Sequence, residues 1–255
     1  IGTEDSLRSR YPRNIVTDTY SINEEKNQLI EQTIVEVLQN KGVNAENLLN
    51  YRYLGVAGFF NGNKALFNDD NFSSYTGAQA LNVGNYRQLF IVPLEDYNRI
   101  MGESKTLSDD EVLIYSTKSD YDYDTITLED AGTWKVKEVV DDFIDNGNDV
   151  MSIIASVFIF VPDINYWENM LDGIVAKYGS ANDLSSYKHS YYAFDLSCND
   201  EQQIEIENEI SSRLKAIEDE QQINISVEGV ASERAGFYAL YGGLFFLGIL
   251  LGIVF

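Results

Sequence analysis

The chain has 255 residues, of which 41 are Asp or Glu and 18 are Lys or Arg, giving a formal net charge of −23 at pH 7. Phosphate backbones are gripped by clusters of Lys and Arg, so this balance excludes nucleic acid as a partner held by the overall field. A hydrophobic content of 44%, with 13% aromatic residues, excludes a disordered chain and predicts one large folded domain or two small ones.

Residues 1–20 hold Arg8, Arg10 and Arg13 beside Tyr11 and Pro12, a short basic stretch ahead of an acidic body. Ser21-Ile-Asn-Glu24 has the form of a capping box, in which the serine and glutamate satisfy each other's free backbone N–H groups. Leu29, Ile30, Ile34, Val37 and Leu38 then recur on one helical face as far as Gly42, predicting a helix over 24–40. Tyr51 to Phe60 mixes aromatic and β-branched residues with Gly55 and Gly58, the pattern of a strand with bulges or a close backbone approach. Residues 61–85 are rich in Asn, Gly, Ser and Asp and read as loop, with a short helix around Gly77 to Leu81.

Gln88–Val92 reads as a buried strand, after which Pro93 opens a short helix running to Met101 and closed by Gly102. Glu111–Ser116 reads as a strand. Thr133–Val140 alternates Trp134, Val136 and Val140 as another, paired in a hairpin with Ile126–Leu128. Ser156–Val161 is a strand stopped by Pro162. Asp163 then caps a helix with Ile164, Trp167, Leu171, Ile174, Val175 and Tyr178 on one face, closed by Gly179. Tyr192, Phe194 and Leu196 alternate in the next strand. Asn199 caps a helix with Ile206, Ile210, Leu214 and Ile217 inward, and Ile223, Ile225 and Val227 alternate in the last strand. The fold class is therefore α/β (α+β), a mixed sheet with helices packed on it and a β-α-β-α-β order in the C-terminal half.

From Ala235 to Phe255 there are 21 residues without a charge. At about 1.5 Å per residue such a helix reaches roughly 30 Å, enough to cross the hydrocarbon core of a bilayer. Phe237, Tyr238 and Tyr241 lie at its start, where an interfacial aromatic belt belongs. Gly248 and Gly252 form a Gly-x-x-x-Gly pair that would admit a second membrane helix, and Ala239 and Gly243 form a looser pair. The chain starts without methionine and stops in an apolar stretch, so it reads as a segment of a longer protein.

Enzyme signatures are scarce. One histidine, His189, and one cysteine, Cys198, cannot furnish a Cys/His metal site or supply more than a single Cys-His pair, and His189 is expected at a surface or strand edge. Neither a phosphate-binding Gly-x-x-x-x-Gly-Lys-[Ser/Thr] loop nor a Gly-x-Ser-x-Gly elbow occurs, so no catalytic, cofactor or metal residues are assigned. Asp120-Tyr-Asp-Tyr-Asp124 offers alternate carboxylates to a hard cation, but Thr125 and Ala131 stand where a calcium-binding loop needs glycine and glutamate, leaving a solvated acidic loop. Asp141, Asp142, Asp145, Asn146, Asn148 and Asp149 form a second such patch. Carboxylates abound, so residue type leaves a glycosidase pair open. The Tyr- and Gly-rich run from 51 to 86 offers Tyr51, Tyr53, Phe59, Phe60, Tyr75 and Tyr86 as a ligand or partner surface, with core packing as the alternative.

Two stretches resemble a known family. Arg234-Ala-Gly-Phe-Tyr-Ala-Leu-Tyr-Gly-Gly-Leu-Phe-Phe-Leu-Gly-Ile-Leu-Leu-Gly-Ile-Val-Phe255 resembles the span that follows the large extracellular domain of FtsX-like ABC transporter permeases, in particular the BceB-like group of Gram-positive bacteria. Glu4-Asp-Ser-Leu-Arg-Ser-Arg-Tyr-Pro-Arg-Asn14 resembles the segment after the preceding span. The resemblance implies a membrane-proximal segment over 1–20, an extracellular domain over 21–232 with a sub-boundary near 150, and a transmembrane helix over 235–255. It places the protein in the plasma membrane with its body outside the cell. It also implies a separate ABC ATPase subunit, a sensor histidine kinase, and a cationic peptide antibiotic such as bacitracin, or that antibiotic's lipid complex, as partners. The alternatives are a mechanotransmitting or signalling ectodomain of the FtsX/MacB type that binds a protein, and a membrane-anchored hydrolase.

Overall fold

A computed structural model of the chain describes residues 11–67, 85–144, 155–178 and 187–254. The fold is mixed α/β, as the residue pattern predicts: among the described residues, ten strands form one mixed sheet with five helices packed on it. The strands are β1 (Ile15–Thr19), β2 (Glu46–Asn61), β3 (Lys64–Leu66), β4 (Tyr86–Pro93), β5 (Glu111–Ser116), β6 (Thr125–Leu128), β7 (Gly132–Val139), β8 (Ala155–Val161), β9 (Lys188–Asp195) and β10 (Ile225–Gly229). The helices are α1 (Glu24–Asn40), α2 (Leu94–Met101), α3 (Ile164–Tyr178), α4 (Asp200–Gln221) and α5 (Val230–Val254). The chain divides into two compact units. A central unit comprises Thr19–Asn27 and Asn50–Tyr191, and a terminal unit comprises Ile1–Asp18, Gln28–Leu49 and Tyr192–Phe255.

In the central unit β8 runs parallel to β4, from Arg87 opposite Ala155 to Pro93 opposite Val161, and antiparallel to β5. β5 is parallel to β7, and β6 and β7 form the expected hairpin, with Ile126 opposite Trp134. The apolar run of β8 is buried from Ser156 to Val161, as a strand covered on both faces requires. Leu89, Ile91, Val112, Ile114, Val157 and Ile159 share one core with Trp134 and with Trp167, Leu171 and Ile174 of α3. The indoles of Trp134 and Trp167 lie 4.4 Å apart. Phe90, Tyr97, Phe143, Phe158 and Phe160 form an aromatic layer, with Phe90 stacked on Phe158 at 4.7 Å and Tyr97 tilted over Phe160 at 4.4 Å.

Gly55 and Gly58 mark close approaches. A Cβ at Gly58 would stand 3.2 Å from Leu89 Cδ1, and one at Gly55 3.3 Å from the Tyr53 ring. α2 begins after Pro93 and ends at Gly102 in the left-handed region at φ 68°, whose N–H bonds the Asn98 carbonyl.

The terminal unit has an aliphatic core, with Ile15 of β1, Ile30, Ile34, Val37 and Leu38 of α1, and Ile206, Ile210 and Leu214 of α4 packed around Phe194. Buried amides wire its backbone. The Asn14 Oδ1 accepts the Leu196 N–H at 3.1 Å, and its Nδ2 donates to Gln203 Oε1 at 3.0 Å. Asn199 caps α4 as expected, accepting the Gln202 N–H at 2.9 Å.

Several local expectations shift. The N-cap of α1 is Asn23, whose Oδ1 accepts the Lys26 N–H at 3.0 Å, while Ser21 Oγ accepts the Asn23 N–H one step earlier. The nearer side chain wins because it already lies beside the free donors. β1 occupies part of the basic opening stretch, and β3 lies in the predicted loop. β9 is buried at five successive positions, Ser190 to Phe194, so its burial does not alternate. The last strand begins at Ile225 instead of Ile223. The short helix around Gly77 to Leu81 and the sub-boundary near 150 fall outside the described residues.

α5 is helical for 25 residues. Among the described residues no helix is long and apolar enough to cross a membrane. The side chains at 242, 244–250 and 252–255, which make up most of the apolar run including Gly248 and Gly252, are outside that description.

Candidate functional site at the strand-to-helix junction

β10 ends at Gly229 and α5 starts at Val230, with no residue between them. A helix start leaves backbone N–H groups in need of acceptors, and glycine has no side chain to supply one. The acceptor comes from α4. The Glu207 carboxylate receives the Ser232 hydroxyl at 2.5 Å and a hydrogen bond from the Gly229 backbone. Glycine leaves room for that carboxylate, since a Cβ at Gly229 would stand 2.1 Å from Glu207 Oε2 and the side chain would have to move aside.

Ser232 Oγ also donates to the Gly229 carbonyl at 3.0 Å. One hydroxyl carries one proton, so both contacts are fully made only when Glu207 is protonated and itself donates to Ser232. Burial raises the Glu207 carboxyl above the ordinary carboxylate range, the two hydrogen bonds pull it back, and the neighbouring Glu233 and Glu228 push it up again. Three further ties fix the junction. Val230 and Ala231 are buried, the Val230 N–H bonds the Asn14 carbonyl at 2.9 Å, and Arg234 Nη1 lies 2.6 Å from Asp200 Oδ2 in the first turn of α4. The first two turns of α5 are thus clamped to α4 at Glu207 and Asp200, and Glu233 lies in the first turn, where a helix N-terminus favours an acidic residue.

The aromatic residues singled out from the sequence lie elsewhere and are not gathered on one surface. Tyr51, Tyr53 and Phe60 are core residues at 0%, 2% and 3% exposure, which leaves no open ring to offer a ligand. Phe59 and Tyr86 are half-buried and face each other as partners on β2 and β4. Tyr75 is outside the described residues. His189 is half-buried, stacked on Tyr53 with ring centres 4.6 Å apart and tilted against Tyr20, not placed at an open strand edge. Asp120, Asp122 and Asp124 are exposed, whereas Tyr121 between them is buried and donates to the Thr125 carbonyl at 2.9 Å. Among the described residues no three His, Cys, Asp or Glu converge on a common cation position. Asp141 and Asp142 are exposed, and the rest of the second acidic patch lies outside the described residues.

Glu207, Gly229 and Ser232 escaped the sequence reading because one more glutamate on an acidic helix carries no mark of its burial. The available signal was the glycine directly between a strand pattern and a helix pattern, with a serine three residues on. No protein-family model matches the chain, and no curated protein matches it at a significant level.

Proposed function

We propose that the chain is the extracellular domain and the start of the following span of an FtsX-like, BceB-like ABC transporter permease. In this reading it serves antimicrobial peptide export, sensing or resistance by coupling to a separate ATPase subunit. It is not itself catalytic, and ATP is hydrolysed on the partner chain. The observation that carries the reading is the junction. A folded α/β body passes without a linker into a 25-residue helix whose charges, Glu233 and Arg234, are confined to its first two turns and clamped to α4. A displacement of such a helix reaches the body with little slack, which is what an energy-coupled ectodomain needs. The charge of −23 raises the encounter rate of cationic peptides, an effect that salt weakens.

Carbonate extraction of membranes from cells expressing the chain tests the membrane assignment. The full chain should stay in the pellet and a version ending at Arg234 should be released; release of both would overturn it. Affinity purification in mild detergent should then return an ABC ATPase together with a sensor kinase. Recovery of a cell-wall hydrolase in their place would favour a mechanotransmitting ectodomain.

A further inference from the structure

Arg87, near the start of β4, stands between two strands that offer it nothing polar, since its cross-strand neighbours are Gly58 of β2 and Ala155 of β8. Residues opposite one another project to the same face of a sheet, so neither neighbour can set an oxygen beside the guanidinium. What packs there is the Phe60 ring, its centre 5.1 Å from the guanidinium carbon. A ring face attracts the charge from one side and leaves the planar N–H fork without oxygen acceptors. In a chain with 41 Asp and Glu, no carboxylate among the described residues pairs with Arg87, and its buried Nε has no hydrogen-bond partner. Ser116 lies at the same end and on the same face of the sheet, because Val157 is opposite both Leu89 and Ser116, and its hydroxyl is also buried without a partner. The Arg87 charge acts on the Tyr121 phenol, whose own proton is committed to the Thr125 carbonyl at 2.9 Å. Buried donors without acceptors are costly, and Arg87 is only half-buried, so the site is open to a group that would complete it.

We propose that Arg87 anchors a binding site for a carboxylate group carried by a ligand. Guanidinium and carboxylate are both planar and two-pronged, so one pair of parallel hydrogen bonds satisfies the fork. Arg87 supplies one positive charge, which a carboxylate balances, whereas a phosphate dianion would leave negative charge uncompensated beside a buried ring. The net charge of −23 repels anions from the chain as a whole, so a carboxylate held here is held by local contacts and not by the overall field.

Ligand-observed saturation-transfer NMR on the full chain in lipid nanodiscs tests it, with acetate, N-acetylglycine and the neutral N-acetylglycinamide as probes. Saturable binding of the two acids is expected in the millimolar range, with N-acetylglycine about tenfold tighter than its amide, as a charge-assisted contact implies. The tighter of the two acids tells a peptide C-terminus from a small free acid. Arg87→Met, which keeps an apolar stem over Phe60, should abolish binding. Arg87→Lys, which keeps the charge but loses the fork, should weaken it several-fold, so the test stands even if Arg87→Met does not fold. Arg213→Met, which removes a guanidinium already 3.0 Å from Glu209 on α4, should leave binding unchanged. No binding, equal affinity for acid and amide, undiminished binding by either Arg87 variant, inorganic phosphate binding as tightly as the acids, or an Arg213→Met loss matching that of Arg87→Met would overturn the site. None of these outcomes alters membrane retention or ATPase recovery, so the carboxylate site and the permease reading fail separately.

Discussion

The central and terminal units bury comparable elements by different chemistry. In the central unit the sheet is covered by rings, with Phe90, Phe158, Phe160 and Tyr97 forming one layer and the indoles of Trp134 and Trp167 meeting in another core. In the terminal unit the core is largely aliphatic; both units carry buried hydrogen bonds, Asn27 to Ser190 and the Ser156 N–H to Thr117 in the central one and Asn14 to Gln203 in the terminal one, but among the described residues the carboxyl shifted upward, the half-buried Glu207, lies in the terminal unit. Apolar packing is non-directional and indifferent to pH, whereas a hydrogen-bonded carboxyl fixes one geometry and changes with protonation. The contrast predicts that pH acts on the seating of α5 in the terminal unit more than on the ring packing of the central one.

The strongest break of this contrast is Trp167→Ala. The side chain is 1% exposed, and its removal should cost about 3–5 kcal/mol in denaturant unfolding. A loss below about 1 kcal/mol would mean that the ring layers are loosely packed. Gly229→Ala should cost less, about 1–3 kcal/mol, because the new methyl must displace a carboxylate on a flexible side chain. The same clamp has a pH signature. The folded chain holds the Glu207 proton to higher pH than the unfolded chain does, so the carboxyl costs nothing at acid pH and destabilises as pH rises through its folded value. Glu111, Asp130, Glu209 and Glu218 are shifted downward by their partners and slope the other way, being lost as pH falls. Stability profiles of the parent and Glu207→Gln should therefore diverge progressively above the ordinary carboxylate range, and parallel profiles would show that Glu207 carries no pH-dependent cost. At the small end, Asp130→Asn breaks an exposed pair with Lys177 at 2.5 Å, and the melting temperature should not move measurably.

Where one face of an element is strongly apolar and its ends carry caps, the residue pattern was enough. α1 over 24–40, β5 over 111–116 and α2 ending at Gly102 appear with the predicted bounds. β1 was hidden because its inward positions include Thr17 and Thr19, both buried, so hydropathy shows no alternation. β3 has three residues, too few for a period. Tyr51 and Tyr53 stand out for their polar tips, but their rings face Phe143, Tyr191 and Phe90, and burial on both sides of a strand is a property of the sheet that a single strand does not display.

The absence of any residue between Gly229 and Val230 has a rotational consequence. Each residue inserted there would lift α5 by about 1.5 Å and turn it by about 100°. The junction therefore sets helical phase as well as height, and one inserted alanine would aim Gly248 and Gly252 a quarter-turn or more away from any helix they pack against, whereas seven would nearly restore their direction.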